Sequence, residues 1–181
     1  MPHNSFTLFG PGILRSLVTD ISISVAFDPR DLPKIVPAYH PFKAVWDTGA
    51  TGSVISKNVV DTCGLKPITK TNVSTAGGMQ VCDVFLVNCM LPNQVGFAGV
   101  TVTQANMGQT DVLIGMDIIS MGDFALTHKE GKTCFSFRVP SVIKIDFVET
   151  SKLATEGKID PYQPCLCGSG KKFKFCCKSI I

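Results

Sequence analysis

Charge is scarce in this chain. Of its 181 residues, 17% are Asp, Glu, Lys or Arg, while 45% are hydrophobic. So apolar a composition excludes disorder for most of the length, because there is ample surface to bury. Long apolar runs are scarce as well, and no uninterrupted stretch approaches the roughly 20 residues of a membrane-spanning helix, so no membrane segment is expected. The start, MPHNSFTLFGPGILRSLV, has no basic opening, and Pro11 and Gly12 interrupt its apolar part. That makes a poor signal peptide, and a cytoplasmic protein is expected. Histidines number three, and His3, His40 and His128 share no spacing with one another or with a nucleophile. A Ser-His-Asp or Cys-His mechanism therefore has no support. Net charge is only +3, too little to argue for nucleic-acid binding. Long repeats and low-complexity blocks are missing.

What charge there is sits unevenly. Five lysines and one aspartate fall between Lys158 and Ile181, leaving the rest slightly acidic. The eight cysteines divide in the same way: Cys63, Cys82, Cys89 and Cys134 are scattered, whereas Cys165, Cys167, Cys176 and Cys177 lie within 13 residues. A disulfide framework would need an oxidising compartment that nothing in the sequence signals.

From about Ser16 to Pro140 the chain reads mostly as strand. LVTDISISVAF (Leu17 to Phe27) approximates period-2 alternation. FKAVWD is a short strand ending at Asp47. SKNVVDTCGL (Ser56 to Leu65) differs: Ser56 can cap, Val59, Val60 and Cys63 are helically spaced, and Gly64 can close the helix. VSTAGGMQVCDVFLVNCML predicts a hairpin around Gly77-Gly78, and GVTVTQA another strand. Val112 to Ile114 is a buried-type run followed by Gly115 and a second helical turn. FALTH and TCFSFRV flank KEGK as a further hairpin. Many short strands with one or two helical turns predict an all-β domain, closed or sandwiched, over residues 1–140. Residues 141–160 are more polar and read as a linker, and 161–181 as a small C-terminal motif.

One carboxylate stands out. AVWDTGATGSVIS (Ala44 to Ser56) sets Asp47 in an otherwise uncharged strand-turn-strand run. By itself Asp-Thr-Gly reads as a turn, since Asp and Gly both form turns. Three features shift the balance. Apolar flanks (Val45, Trp46, Ala50, Val54, Ile55) suit a carboxylate held rigidly. The capped helix follows at once. DVLIGMDII begins 64 residues after Asp47, with an apolar strand running into Gly115. Asp111 reads as a strand end and Asp117 as a cap or pairing group. Gly52 and Ser53 give the loop more flexibility than the tripeptide needs.

VWDTGATGSVIS, SKNVVDTCGL, STAGG and DVLIGMDIISMGDF together resemble the retropepsin-like aspartic proteases, the single-lobe relatives of pepsin. The resemblance covers roughly Ser16 to Pro140. It implies a small closed β-barrel whose Asp-Thr-Gly loop lies beside the strand ending in Gly115. It also implies a homodimer, because the chemistry needs two aspartates and this chain has one such motif. Asp47, Thr48 and Gly49 would be catalytic, with Thr48 bonding across the dimer and Gly49 allowing close backbone approach. Two carboxylates about 3 Å apart cannot both ionise, so they share a proton. The charged one activates water, and the protonated one donates to the peptide carbonyl. The implied function is an aspartic endopeptidase with no cofactor at the catalytic site and a polypeptide substrate held near Ala50 beneath a flap. Gly77 and Gly78 are the flap candidates, though a plain hairpin turn fits them equally. The alternative is a non-catalytic dimeric adaptor that keeps the fold to bind peptides or partners.

The tail, PCLCGSGKKFKFCC, carries Cys-x-Cys, eight residues, then Cys-Cys. Four thiolates, from Cys165, Cys167, Cys176 and Cys177, suit a tetrahedral structural Zn²⁺, with Gly168 and Gly170 letting a short chain fold round it. A segment so small cannot bury enough surface to fold unaided. It resembles the SEC-C motif, first recognised at the C-terminus of the SecA translocase ATPase and carried by many bacterial proteins. That resemblance implies a bacterial source and docking to a chaperone or ribosome. Lys171, Lys172, Lys174 and Lys178 with Phe173 and Phe175 form the candidate face, or merely a solvated surface over two core Phe residues. The scattered cysteines read as small buried hydrophobes.

Overall fold

The computed structural model describes residues 4–31, 36–75, 78–156, 159–165 and 170–179. It divides into two compact units, Met1–Ser141 and Val142–Ile181.

In the first unit the expected all-β closed barrel forms. Its strands are β1 (Asn4–Phe9), β2 (Val18–Val25), β3 (His40–Trp46), β4 (Val54–Ile55), β5 (Thr69–Thr75), β6 (Gly78–Leu91), β7 (Val95–Gln104), β8 (Val112–Ile114), β9 (Asp123–Thr127) and β10 (Cys134–Val139). Six of them run β2-β3-β8-β4-β7-β6, and β6 pairs back onto β2 to close the barrel. Closure removes the unpaired edges that an open sheet would expose. The long β6 makes this possible by changing neighbours along its length. Its start pairs with β5 as a hairpin, its middle and end pair with β7, and Val87 to Met90 also pair with β2. A bulge between Val87 and Cys89 bends the strand where the partners change. Asn88 is fully buried there. Its amide donates to the Phe27 carbonyl at 2.7 Å and its carbonyl accepts from Gly99 N–H at 2.8 Å, so a polar group costly to bury is satisfied.

Alternation in β2 buries Thr19, Ile21 and Ile23, as period-2 reading predicts. The first helix, α1 (Lys57–Cys63), follows its sequence signals closely. Ser56 Oγ accepts from Val59 N–H, and Gly64 takes the left-handed conformation at φ 62°, which glycine reaches without a Cβ clash.

A second sheet, β1-β10-β9, lies outside the barrel's strand order. Phe6, Phe135, Phe137 and Phe124 occupy one face of it by register. That face meets Trp46, whose ring centroid lies 5.0 Å from those of Phe135 and Phe137 and 5.8 Å from that of Phe124. The Trp46 indole N–H donates to Thr19 Oγ1 at 2.9 Å. Tilted and edge-on ring pairs of this kind add to plain area burial. The cluster thus fastens the outer sheet to the strand that ends at Asp47.

The second unit has a helix, α3 (Phe147–Thr155), inside the stretch whose polarity suggests a linker. Asp146 Oδ1 accepts from Glu149 N–H at 2.9 Å at its start, and this bond holds the Asp146 carboxyl below its usual range. Leu153 of α3 packs with Ile159, Cys165 and Phe173. The helix therefore belongs to the C-terminal unit and is not a bare tether.

Replacing Phe137, which is wholly buried, with Ala is expected to cost about 3–5 kcal/mol. Chemical denaturation followed by tryptophan fluorescence checks this, since Trp46 is the only Trp.

Candidate functional site

The chain leaves β3 at Trp46 and turns at once. Asp47 N–H donates to the Ile114 carbonyl of β8 at 2.9 Å, continuing the parallel β3–β8 pairing one residue into the loop. Asp47 Oδ1 accepts from Gly49 N–H at 2.8 Å. A Cβ at Gly49 would stand 3.2 Å from that same oxygen, so glycine there keeps the approach open. Asp47 and Ala50 are half-buried, while Thr48 and Gly49 are exposed.

The loop's far side rests on Gly115. A Cβ there would meet the Gly52 carbonyl carbon and oxygen at 2.6 Å, closer than real contacts occur. Backbone bonds fix the same seating: Met116 N–H donates to the Ala50 carbonyl at 2.8 Å, and Asp117 N–H to the Thr51 carbonyl at 3.2 Å. The short helix α2 (Met116–Ile119) starts here.

Ser53 completes the clamp. It is 3% exposed. Its N–H donates to Asp117 Oδ2 at 2.9 Å, its hydroxyl donates to Asp117 Oδ1 at 2.8 Å, and that hydroxyl oxygen accepts from Gly115 N–H at 3.1 Å. This corrects the expectation that Gly52 and Ser53 loosen the loop. Ser53 is its anchor, and sequence reasoning missed it because its partner lies 64 positions away. Asp117 pairs as expected, and also accepts from Ile118 N–H. Asp111 ends the segment before β8 and accepts from Ser56 and Asn58.

The predicted hairpin is present. Thr75 pairs with Gly78, which is the first residue of β6, at φ 104°. Gly77 lies outside the described residues. The outward Met79 and Val81 are exposed.

In the C-terminal unit, the chain doubles back on itself. Cys165 N–H donates to the Lys171 carbonyl at 2.7 Å and Phe173 N–H to the Gln163 carbonyl at 2.9 Å. This brings Cys165, Cys176 and Cys177 together, their sulfurs all within 4.8 Å of one another. Four thiolates around Zn²⁺ at about 2.3 Å stand about 3.8 Å apart, so the three sulfurs suit a metal ion. Cys167 lies outside the described residues. Lys174 sits over the rings of Tyr162 and Phe175, 4.1 and 4.5 Å from their centroids. The scattered cysteines belong to the first unit. Burial pushes the Cys63 thiol up to about 11 and Cys89 up to about 12, which keeps both protonated and poor as ligands.

Residues 38–121, just under half of the chain, match the family described as gag-polyprotein putative aspartyl protease. No curated protein matches the chain by sequence. Among solved structures, the chain is similar to a retropepsin-like aspartic protease from Rickettsia conorii at 10% identity and TM-score 0.46, covering 77% of this chain and 97% of that one. It is similar to the EIAV protease, solved with the inhibitor HBY-793, at 16% identity and TM-score 0.41, covering 58% and 86%. It is also similar to the retroviral protease-like domain of Ddi1 from Leishmania major at 18% identity and TM-score 0.38, covering 72% and 98%.

Substituting Ser53 with Ala leaves Gly115 N–H without its buried acceptor and removes one of the donors to Asp117 Oδ1. The expected cost is about 1–3 kcal/mol, read as a lower denaturation midpoint, whereas Thr51→Ala at the exposed neighbouring position leaves the midpoint unchanged.

Proposed function

We propose that this chain is an aspartic endopeptidase that works as a homodimer, each copy contributing one Asp47. The observation that carries this reading is the seating of the Asp-Thr-Gly loop on Gly115. It holds a half-buried carboxylate in fixed geometry at the end of an apolar strand. The match of residues 38–121 to an aspartyl protease family supports the same chemistry.

One Asp47 alone cannot supply both a base and an acid. Paired across a two-fold axis, the two carboxyls share one proton, because like charges about 3 Å apart resist double ionisation. The ionised carboxylate takes a proton from water as its oxygen attacks the peptide carbonyl carbon. The protonated one donates to the carbonyl oxygen. Collapse of the tetrahedral species breaks the C–N bond and returns a proton to the leaving amine. The two apparent pKa values belong to the pair. Thr48 bonds between the copies, and Ala50 lines the floor on which a polypeptide lies as an added strand. The hairpin bearing Gly77 and Gly78 covers it.

The C-terminal unit is proposed as a zinc-stabilised, SEC-C-like docking element, with Cys165, Cys167, Cys176 and Cys177 holding the ion. Support comes from three converging sulfurs and from a core that, among the described residues, has Ile159, Cys165 and Phe173 as its buried members. Metal ligation would add the stability that so small a core does not supply. A chaperone or ribosome is the proposed partner of the lysine-rich face, in a bacterial cytoplasm.

Asp47→Asn is expected to abolish cleavage of an unfolded protein substrate across mildly acidic to neutral pH while leaving the fold intact. Undiminished cleavage by that variant removes Asp47 from the chemistry. For the tail, metal analysis is expected to find one zinc per chain, and Cys176→Ser to reduce its retention at least tenfold. A chain purified with no bound zinc, and unaltered by added zinc, sinks the metal reading.

A further inference from the structure

A cavity of about 510 Å³ opens between β7 and the short helix α2. Residues 96–101 of β7 form one wall, and Asp117 and Ile118 of α2, with Met121 and Val139, form the rest. Its size falls within the range of small-molecule sites. The lining is mostly apolar. Phe97 and Ile118 in it are buried, and Met121 is exposed. Gly96, Ala98 and Gly99 have little or no side chain, which leaves the space open.

One group in this lining carries a full charge. Asp117 is half-buried. Its Oδ1 accepts from the Ser53 hydroxyl at 2.8 Å and from Ile118 N–H at 3.0 Å, and its Oδ2 accepts from Ser53 N–H at 2.9 Å. All three donors are neutral dipoles. A carboxylate has room for about four donors, so one position, on Oδ2, is open. Among the described residues no lysine or arginine pairs with Asp117. Arg138, next to Val139, is paired with Asp123 instead. The charge of Asp117 is felt inside the barrel, where burial first and Asp117 second hold the Cys89 thiol above its usual range.

We propose that this cavity binds a small organic ammonium ligand, with its cationic head on Asp117 and its apolar body against Phe97, Ile118 and Met121. A negative charge beside apolar walls attracts a counter-charge more strongly than one in open water does. An anionic ligand would meet like charge. A neutral apolar one would bury the carboxylate without compensation, which is costly. A bare Ca²⁺ or Mg²⁺ would find a single carboxylate where it needs six or more oxygens. An ammonium on an apolar stem satisfies both the charge and the walls. The site stands whether or not the chain cleaves peptides. It also touches the clamp of the Asp47 loop, because the oxygen with the open position is the one that holds Ser53 N–H. The Ser53 amide is therefore a built-in reporter of occupancy.

The test is titration of the isotope-labelled full chain with benzylamine, which is protonated near neutral pH, followed by amide NMR. Saturable shifts are expected across residues 96–101 and at Ile118 and Ser53, with a dissociation constant of about 1–10 mM for so small a probe. Benzyl alcohol, with the same ring and no charge, is expected to bind at least about fivefold more weakly, and benzoate to give no saturable shift. Thr101 is an exposed lining residue. Thr101→Lys offers the chain's own ammonium to Asp117 and is expected to weaken benzylamine binding by about tenfold or more, whereas Thr101→Gln binds like the wild type. Equal binding of the three probes overturns the proposal, as do shifts that leave Ser53 unmoved and full binding by Thr101→Lys. So does the absence of saturable shifts at benzylamine concentrations about tenfold above that range.

Discussion

Everything at the candidate site depends on two stretches of backbone lying closer than any side chain allows. The carbonyl of Gly52 occupies the space a Cβ on Gly115 would need. Because position 115 is glycine, the loop after β3 can drop onto the strand end of β8 and the start of α2. The Ser53–Asp117 bonds then lock it there. An aspartate at the end of a strand is commonplace. One whose loop is held by backbone contacts from two sides has little room to shift.

The aromatic cluster extends that rigidity outward. Trp46 lies between the loop and the outer sheet, bonded to Thr19 on one side and packed against Phe135, Phe137 and Phe124 on the other. The outer sheet is thereby a continuation of the site's foundation. The C-terminal unit follows a different rule. Its core is too small for burial alone, and its order comes from chain reversal at 161–174 and from three converging thiols.

Much of this was legible in the residues. Period-2 alternation marked β2, the Ser56 and Gly64 pair marked α1, and Val112 to Ile114 before a glycine marked β8. The Asp-Thr-Gly loop and the four tail cysteines announced themselves by type and spacing. Other features were not readable. The place of Gly78 at the start of β6, paired with Thr75, was not readable, since two adjacent glycines both accept turn geometry and only strand register chooses between them. The helix α3 hid in polar sequence because Leu153, which packs into the C-terminal core, has a partner only once the tail folds. β1 went unassigned, although Phe6 and Leu8 alternate with polar neighbours, because so short a strand needs a partner to exist.

By itself, then, the sequence determined which atoms were on hand: one rigidly flanked carboxylate, a glycine able to accept it, and a knot of thiols. Those choices are local, made by steric freedom, periodicity and ligand chemistry within a few residues. The tertiary structure decided which of them meet. Ser53 became an anchor only because closure of the barrel brought Asp117 to it from 64 residues away. β10 became an inner strand only because β1, from the other end of the sequence, pairs along its far side. Long-range pairing is set by the sum of many weak contacts competing for one chain, and no short window of residues contains that sum.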